Sequence, residues 1–175
     1  MHQGFNSRYL DKVMSSDLEY PLVSGLMPVY NGERFLAESI RSILNQTFAQ
    51  FEFIIVDDGS NDKAPQILEE SAARDPRLVL LQNPGNLSVA RSLNRGLSTA
   101  RGAYIARQDA DDLSTSERLK VQVAYMVDHP DIGVLGTWAQ AIDVLGTPGV
   151  SWCFRKIRCW HAGGCCSTFV STIRR

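Results

Sequence analysis

The first 150 residues of this 175-residue chain contain no cysteine, so nothing in them indicates a secreted domain stabilised by disulfide bonds. No apolar run approaches the ~20 residues that cross a bilayer, and residues 1–20 lack the apolar core of a secretion signal. A net charge of -1 excludes a basic nucleic-acid-binding protein. We therefore expect a cytoplasmic domain with no transmembrane segment and no nucleic-acid partner, which could still associate peripherally with the inner face of the membrane.

Acidic residues are absent from residues 151–175, although this segment contains five Lys and Arg residues and all four cysteines. Residues 1–150 hold the other 13 basic residues and all 19 acids. Because residues 151–175 also lack a helical or strand period, they form either an exposed tail or short closing element, or a replacement for the rest of a longer domain through truncation or a change of reading frame. The predicted organisation is an extension over 1–20, a domain over 21–150 and an atypical tail over 151–175.

Short apolar runs alternate with helical periodicity from Pro21 onwards, which predicts an α/β domain with an open, mainly parallel sheet flanked by helices. The predicted strands are Leu22–Met27, closed by Pro28, then Phe51–Val56, Leu78–Leu81, Ala103–Arg107 and Ile132–Ala139. The predicted helices cover about 33–45, a segment from Pro65, about 88–100 with Val89, Leu93 and Leu97 facing inward, and a segment from about Thr115.

Acidic residues follow the second and fourth predicted strands, in the segments 57–62 and 109–112. Carboxyl ends of parallel strands meet at one edge of a sheet, where ligands bind. Five of these carboxylates would crowd one rim and repel one another by roughly 1–4 kcal/mol per pair at 4 Å, so we expect a compensating cation or hydrogen-bond donors. The five are Asp57, Asp58, Asp109, Asp111 and Asp112. Mg²⁺ or Mn²⁺, held by one or two carboxylates and by substrate phosphates, suits the Asp109-x-Asp111-Asp112 cluster.

Each of these features also has a structural explanation. If the backbone is extended, Asp109 and Asp111 point the same way and Asp112 can cap the next helix, but an acidic turn with a helix cap gives the same pattern. The segment 57–60 is equally typical of a turn. Tyr30 could stack on a base or close the rim of the sheet. Arg91 could meet a phosphate or form a solvated salt bridge.

Other nucleotide-binding classes fit poorly. Gly32 is the only glycine in the segment 28–33, where a dinucleotide-binding protein needs a glycine-rich turn, and no P-loop motif is present. A nucleotidyltransferase would show an early basic, glycine-rich loop, which is also missing. The last alternative is a zinc site, although the sequence has no CxxC pair. Its candidate ligands are Cys153, Cys159, His161, Cys165 and Cys166.

Taken together and in order, the motifs resemble those of a family 2 glycosyltransferase over about Pro21–Gly146. The matching motifs are Pro28–Glu33, Ser39-Ile40, Ser42–Thr47, Val56–Ser60, Ala90-Arg91, Asn94, Gly96, Gly102–Ile105 and Asp109–Asp112.

The resemblance implies a GT-A fold that binds a nucleotide-diphospho-sugar, commonly a UDP-sugar, with Mn²⁺ or Mg²⁺. It places Pro28 and Tyr30 beside the base, Asp58 on the base with Asp57 supporting its loop, Asp109 near the ribose and Asp111 on the metal. Asp109 is the second candidate metal ligand. Glu33 and Arg91 complete the candidate donor-binding residues.

The reaction implied by the resemblance is transfer of the sugar, with inversion, to a glycan or lipid-linked acceptor in polysaccharide or cell-envelope glycoconjugate synthesis. A carboxylate base would deprotonate the acceptor hydroxyl. No residue can be assigned as this base, because the chain has no Asp or Glu after Asp143. The alternative is a non-catalytic nucleotide-sugar-binding fragment that lacks the acceptor half.

Overall fold

The computed structural model describes residues 21–137, 139–143, 147–152 and 171–174. The predicted extension 1–20 and the candidate zinc ligands lie outside these ranges (Cys153, Cys159, His161, Cys165 and Cys166). The helices are α1 (Leu36–Leu44), α2 (Ala64–Arg74), α3 (Val89–Thr99) and α4 (Arg118–Asp128). The strands are β1 (Val23–Val29), β2 (Phe51–Asp57), β3 (Leu78–Gln82), β4 (Tyr104–Arg107), β5 (Val134–Gly136), β6 (Ala139–Ile142), β7 (Pro148–Trp152) and β8 (Ser171–Arg174).

The main sheet has the order β3-β2-β1-β4-β8-β5, and the predicted α/β fold is confirmed. Strands β1 to β4 are parallel, whereas β8 pairs antiparallel with both β4 and β5. The larger core lies on one face, where α1 and α4 contribute residues such as Ile40 and Met126, and a smaller core lies on the other face, around Leu26 and Ile54. No helix in the described part of the chain is long and apolar enough to cross a bilayer.

Strand β1 continues through Pro28, so the prediction that Pro28 closes the first strand is wrong. The pairing of β1 with β4 ends at Leu26, whose carbonyl accepts the last bond, from the Gln108 N–H at 3.0 Å. Residues two apart in a strand direct their backbone polar groups to the same side, so Pro28 faces the β4 side, as Leu26 does. Because β4 no longer pairs at this point, the missing N–H of Pro28 costs no hydrogen bond in the sheet. On its other side the strand stays paired with β2 as far as Val29.

Helix α3 packs on the sheet through small residues, and the predicted inward face is wrong for two of its three residues. Val89 is 54% exposed and Leu97 is 37% exposed, while Leu93 is half-buried against the smaller core. The buried residues of the helix are Ser92 and Gly96. A Cβ atom at Gly96 would overlap a methyl carbon of Leu26, so the helix approaches the sheet too closely for a side chain there.

Two differences concern the end of the chain. The predicted fifth strand over 132–139 is divided, because β5 joins the main sheet whereas β6 begins at Ala139 and pairs with β7 in a separate sheet. Residues 171–174, for which the sequence shows no period, form β8 between β4 and β5. The register pairs Ile173 with Ile105 and with Val134.

Candidate functional site

The carboxyl ends of β1, β2 and β4 meet at one edge of the sheet. Val29 is level with Asp57, and the Asp58 N–H donates to the Val29 carbonyl at 2.8 Å. On the β4 side, the hydroxyl of Ser39 in α1 donates to the carbonyl of Asp109 at 3.1 Å. The loops that carry the predicted aspartates are therefore brought together, as their positions in the sequence imply.

The loops after β1 and β2 hold each other through reciprocal hydrogen bonds. The Asn31 N–H donates to the Ser60 hydroxyl at 3.0 Å, and the Glu33 N–H donates to the Asp62 carboxylate at 2.8 Å. In return, the Lys63 N–H donates to the Glu33 carboxylate at 3.0 Å. The Glu33 side chain, predicted to bind donor, is thus exposed and engaged at the start of α2. It fixes the spacing between the two loops.

Asp57 has a turn-forming contact, while Tyr30 stays open to solvent. The buried carboxylate of Asp57 accepts the Ser60 N–H at 3.0 Å. Gly59, with a φ of 78°, lies so close to Gly85 that a Cβ atom would come within 2.6 Å of its Cα. Tyr30 projects at the same edge with 48% of its surface exposed, so its ring is accessible for stacking.

Asp58 is buried and anchors the loop between β3 and α3. Its Oδ1 accepts from Asn83 Nδ2 at 2.7 Å and from the Leu87 N–H at 2.9 Å, and its Oδ2 accepts from the Ser88 N–H at 2.9 Å. Burial alone would raise the pKa of Asp58, but the bonds from Asn83, Leu87, Ser92 and Ser88 outweigh it and hold the pKa below its usual range. Asp58 is therefore a fixed negative charge at this edge.

Ser88, one of the residues that Asp58 holds, has a backbone conformation that is essentially reserved for glycine, with φ 90° and ψ 153°. Its N–H also lies 3.2 Å from the side-chain oxygen of Asn86, and its carbonyl accepts the Ser92 N–H that begins α3. These bonds maintain a conformation whose strain is of order 1–3 kcal/mol.

Replacing Ser88 by glycine is expected to stabilise the protein. Glycine removes the strain but loses more entropy on folding, so we expect the free energy of unfolding to rise by about 1 kcal/mol. Urea denaturation followed by circular dichroism measures the change. Ser88→Ala keeps the Cβ and so keeps the strain, and this matched variant should unfold like the wild type. Equal midpoints for Ser88→Gly and Ser88→Ala would contradict the strain at this position.

The segment 109–112 is a turn and not an extended strand, so the condition under which Asp109 and Asp111 would point the same way is not met. The Asp112 N–H donates to the Asp109 carbonyl at 3.2 Å. Asp112 also does not cap the next helix, because α4 begins only at Arg118. We call residues 109–112 the acidic turn. The turn brings Asp109 and Asp111 close enough to Asp112 for their negative charges to act on it.

The aspartates of the acidic turn differ in their surroundings. Oδ1 of Asp109 accepts from Nε and Nη2 of Arg107, at 3.2 and 3.0 Å. Asp111 is exposed and makes no hydrogen bond or ion pair with another described residue. Burial and the negative charges of Asp109 and Asp111 raise the pKa of Asp112, and this outweighs the opposite effect of Arg118 and Arg107. An added cation would relieve this repulsion.

Within the described ranges, no three His, Cys, Asp or Glu side chains converge as a complete metal-binding set. Mg²⁺ usually takes only one or two protein carboxylates and completes its shell with water and phosphate oxygens. Asp111, with Asp109 beside it, fits that pattern and does not fit a closed structural metal site.

Two predicted residues, Pro28 and Arg91, lie at the same edge without a specific polar contact. Pro28 is the second-last residue of β1, next to Val29. Arg91 is exposed in the first turn of α3 and forms no ion pair with the described residues.

A groove of about 630 Å³ lies between the β1–α1 loop and α2. It is lined by Glu33, Arg34, Lys63, Gln66, Ile67 and Glu70. It does not include the acidic turn.

Sequence reasoning missed the buried polar residues that hold the acidic turn. Gln108 is 1% exposed and its Nε2 donates to the Asp112 carbonyl at 2.7 Å. Arg118, 7% exposed, donates to Gln108 Oε1 at 2.7 Å. Gln46 donates to the Thr115 carbonyl and accepts the Leu119 N–H, so it caps α4. Gln46 and Gln108 lie just beyond the predicted helix over 33–45 and the predicted strand Ala103–Arg107, so the periodicity gave no signal for their burial.

An open parallel sheet with an acidic turn after its fourth strand and a second acidic loop after β2 defines a nucleotide-sugar-transferase-like fold of the GT-A class, and solved structures agree. The crystal structure of residues 1–349 of S. aureus TarS in complex with UDP-GlcNAc is 31% identical, has a TM-score of 0.61, and is matched over 66% of this chain and 33% of that one. PcManGT of Pyrobaculum calidifontis, a mannosyltransferase solved with GDP-Man and Mn²⁺, is 23% identical with a TM-score of 0.63 over 74% and 41% of the two chains, and supports the fold alone.

The chain belongs to glycosyl transferase family 2, whose model matches residues 24–164. "Putative glycosyltransferase EpsE" of Bacillus subtilis is 47% identical over 130 residues, which are 74% of this chain and 47% of EpsE. The uncharacterized glycosyltransferase MJ1057 of Methanocaldococcus jannaschii is 43% identical over 135 residues, 76% of this chain and 47% of that protein. The chain thus spans about half the length of these curated relatives.

Proposed function

We propose that this chain binds the nucleotide-diphospho-sugar donor of a sugar-transfer reaction at the carboxyl edge of β1, β2 and β4. The observation that carries the proposal is the convergence of Tyr30, the Asp58-anchored loop and the acidic turn at one edge, in a chain of this family. A UDP-sugar is the favoured donor, because TarS, about 30% identical to this chain, has been solved with UDP and with UDP-GlcNAc.

The base of the donor is assigned to the β1–β2 part of the edge. The exposed ring of Tyr30, with Pro28 next to it in the chain, offers a stacking surface. Asp58 stays ionised and is the acceptor for a base N–H, while its bonds to Leu87 and Ser88 fix the loop beside it. Asp57 holds the turn in which Asp58 lies. Glu33 acts indirectly, by spacing the two loops.

The diphosphate is assigned to the acidic turn through Mn²⁺ or Mg²⁺. Asp111, exposed and unpaired among the described residues, is assigned as the principal ligand, and Asp109 is assigned as the second ligand and to the ribose. Burial and then the negative charges of Asp109 and Asp111 raise the pKa of Asp112, and a cation at this turn would offset those charges. When bound, the metal neutralises charge on the departing nucleotide diphosphate. The exposed Arg91 can approach a phosphate from α3.

The proposed reaction is transfer with inversion to an acceptor hydroxyl of a glycan or lipid-linked substrate, in cell-envelope polysaccharide or glycoconjugate synthesis. We place it in the cytoplasm or at the inner face of the membrane. A general base is required. No described side chain is assigned this role, and residues 144–175 contain no Asp or Glu.

The test is release of nucleoside diphosphate from a panel of UDP-sugars and from GDP-Man by the purified protein, with a hydroxyl-bearing glycan acceptor and Mn²⁺. We expect turnover above the no-protein control with a UDP-sugar, lost in excess chelator. The absence of both turnover and binding for every donor would contradict the proposal.

The second candidate is a non-catalytic nucleotide-sugar-binding protein, favoured because residues 144–175 contain no Asp or Glu to act as a base. The same panel separates the two candidates. Metal-dependent binding of a UDP-sugar without hydrolysis or transfer would support the second, and sustained transfer would exclude it.

A further inference from the structure

Arg118 is a buried cation whose side chain has no carboxylate as a hydrogen-bonding partner among the described residues. It bonds to neutral oxygens of Gln108 and Ser114 at 2.7 and 2.8 Å, and to the Arg107 carbonyl at 2.8 Å. Its Nε is buried and has no hydrogen-bond partner in the described part of the chain. Burial lowers the pKa of Arg118 to about 10, while Asp112 opposes this shift. It also begins α4, where the helix dipole disfavours positive charge. Fold stability alone gives little reason for a cation here.

Gln108, which accepts a hydrogen bond from Arg118, connects Arg118 to the acidic turn. An arginine can only donate, so the Oε1 of the Gln108 amide must face Arg118 and its NH₂ group must face the other way. There Nε2 lies 2.7 Å from the Asp112 carbonyl and 3.4 Å from the Asp109 carbonyl. Arg118, together with the Ser114 hydroxyl that donates to the same oxygen at 2.7 Å, thereby sets the orientation of the amide that holds both ends of the turn.

We propose that Arg118 is a positioning residue for the donor site: through Gln108 it fixes the backbone of the acidic turn, and its charge offsets the repulsion among the three aspartates. The functional consequence is that the turn presents Asp111 in one geometry to a metal-bound diphosphate, and this part of the inference rests on the proposed function. Its structural part, the fixing of the turn, is independent of any ligand.

The first experiment measures amide hydrogen exchange in the ligand-free protein. The reporters are the amides of Asp112, bonded to Asp109, and of Ser114, bonded to Ser42 at 3.1 Å. In Arg118→Met we expect both to exchange about tenfold faster, while the Leu87 amide is unchanged. The control Arg74→Met removes an exposed arginine and should change neither reporter. Unchanged exchange of Asp112 and Ser114 in Arg118→Met would overturn the inference, whether or not the protein binds a donor.

The second experiment measures the Kd of UDP with Mn²⁺ and in chelator. If positioning is lost in Arg118→Met, the factor by which Mn²⁺ lowers the Kd should be about tenfold smaller than in the wild type. The Kd measured without metal should be unchanged. Arg118→Lys, which keeps charge but not the two-pronged contact, should be intermediate. If Arg118→Met does not fold, Gln108→Glu serves instead, because it keeps the acceptor for Arg118 and loses the donor to Asp112. Equal loss of affinity with and without metal would overturn the inference. Absence of any Mn²⁺-dependent binding by the wild type would contradict the proposed function and leave the decision on positioning to hydrogen exchange.

Discussion

Asp111→Asn is expected to weaken Mn²⁺-dependent binding of UDP and of a UDP-sugar by about 100-fold, which corresponds to about 2.7 kcal/mol. The substitution keeps the shape of the side chain and removes its charge. Asp111 is exposed and unpaired within the described structure, so the loss should come from the metal and not from the fold. Isothermal titration calorimetry with Mn²⁺ and in excess chelator measures the difference.

The matched control for Asp111→Asn is Asp128→Asn, an exposed aspartate at the last position of α4. It should leave the Kd within about twofold of the wild type, since an isolated surface charge contributes little. The unfolding midpoint of Asp111→Asn should also stay close to that of the wild type. Unaltered Mn²⁺-dependent affinity in Asp111→Asn would remove Asp111 from the metal site.

Glu52→Gln is expected to lower the free energy of unfolding by about 3 kcal/mol. Glu52 is 4% exposed and its Oε1 accepts from the Ser24 hydroxyl at 2.7 Å and from the Arg101 N–H at 2.8 Å. Its Oε2 accepts from the Arg101 guanidinium at 2.7 and 2.9 Å. A glutamine would aim an NH₂ group at one of these donors and leave it buried without an acceptor.

The effect of Glu52→Gln should lie in stability and not in the donor site, because Glu52 is level with Ser24 near the amino ends of β1 and β2. Urea denaturation at pH 7 measures it, with Glu69→Gln, an exposed acid of α2, as the control. A loss below about 0.5 kcal/mol in Glu52→Gln, equal to that of Glu69→Gln, would contradict the account of this contact.

The stability difference between the wild type and Glu52→Gln should also depend on pH. Burial alone would raise the pKa of Glu52, but the bonds from Ser24 and from Arg101 outweigh it and lower the pKa. The stabilisation is therefore complete above the unfolded-state pKa of about 4.3 and is lost as the pH falls through the lower folded-state pKa. Denaturation from pH 7 to pH 3 should show a constant difference down to about pH 5, followed by a decline.

The order of helices and strands, and the edge at which the acids meet, could be predicted from the sequence because both depend on periodicity and on the rules of parallel sheets. The end of β1 could not, because a proline normally ends a strand. Here Pro28 is tolerated since β4 has stopped pairing at Leu26. Such a compensation depends on the register of a strand about 80 residues away in the chain.

The leucines and the valine of α3 predict the wrong inward face, because the distance between the helix and the sheet decides which of its residues are buried. Gly96 and Ser92 let the helix lie on Leu26 and Val56, which turns Val89 outward. The acidic turn shows the same limit. Its acids are visible in the sequence, whereas Gln108 and Arg118 gain their roles only through contacts that the folded chain creates.

The most direct test of the central claim is to add UDP-GlcNAc with Mg²⁺ to ¹⁵N-labelled protein and then replace Mg²⁺ by Mn²⁺, following the backbone amide signals. We predict shifts at residues 30–33, 57–60 and 109–112, and paramagnetic broadening by Mn²⁺ centred on Asp109–Asp112. Shifts confined to the groove between Glu33 and Glu70, or broadening that leaves the acidic turn unaffected, would contradict the assignment of the donor to the carboxyl edge of β1, β2 and β4.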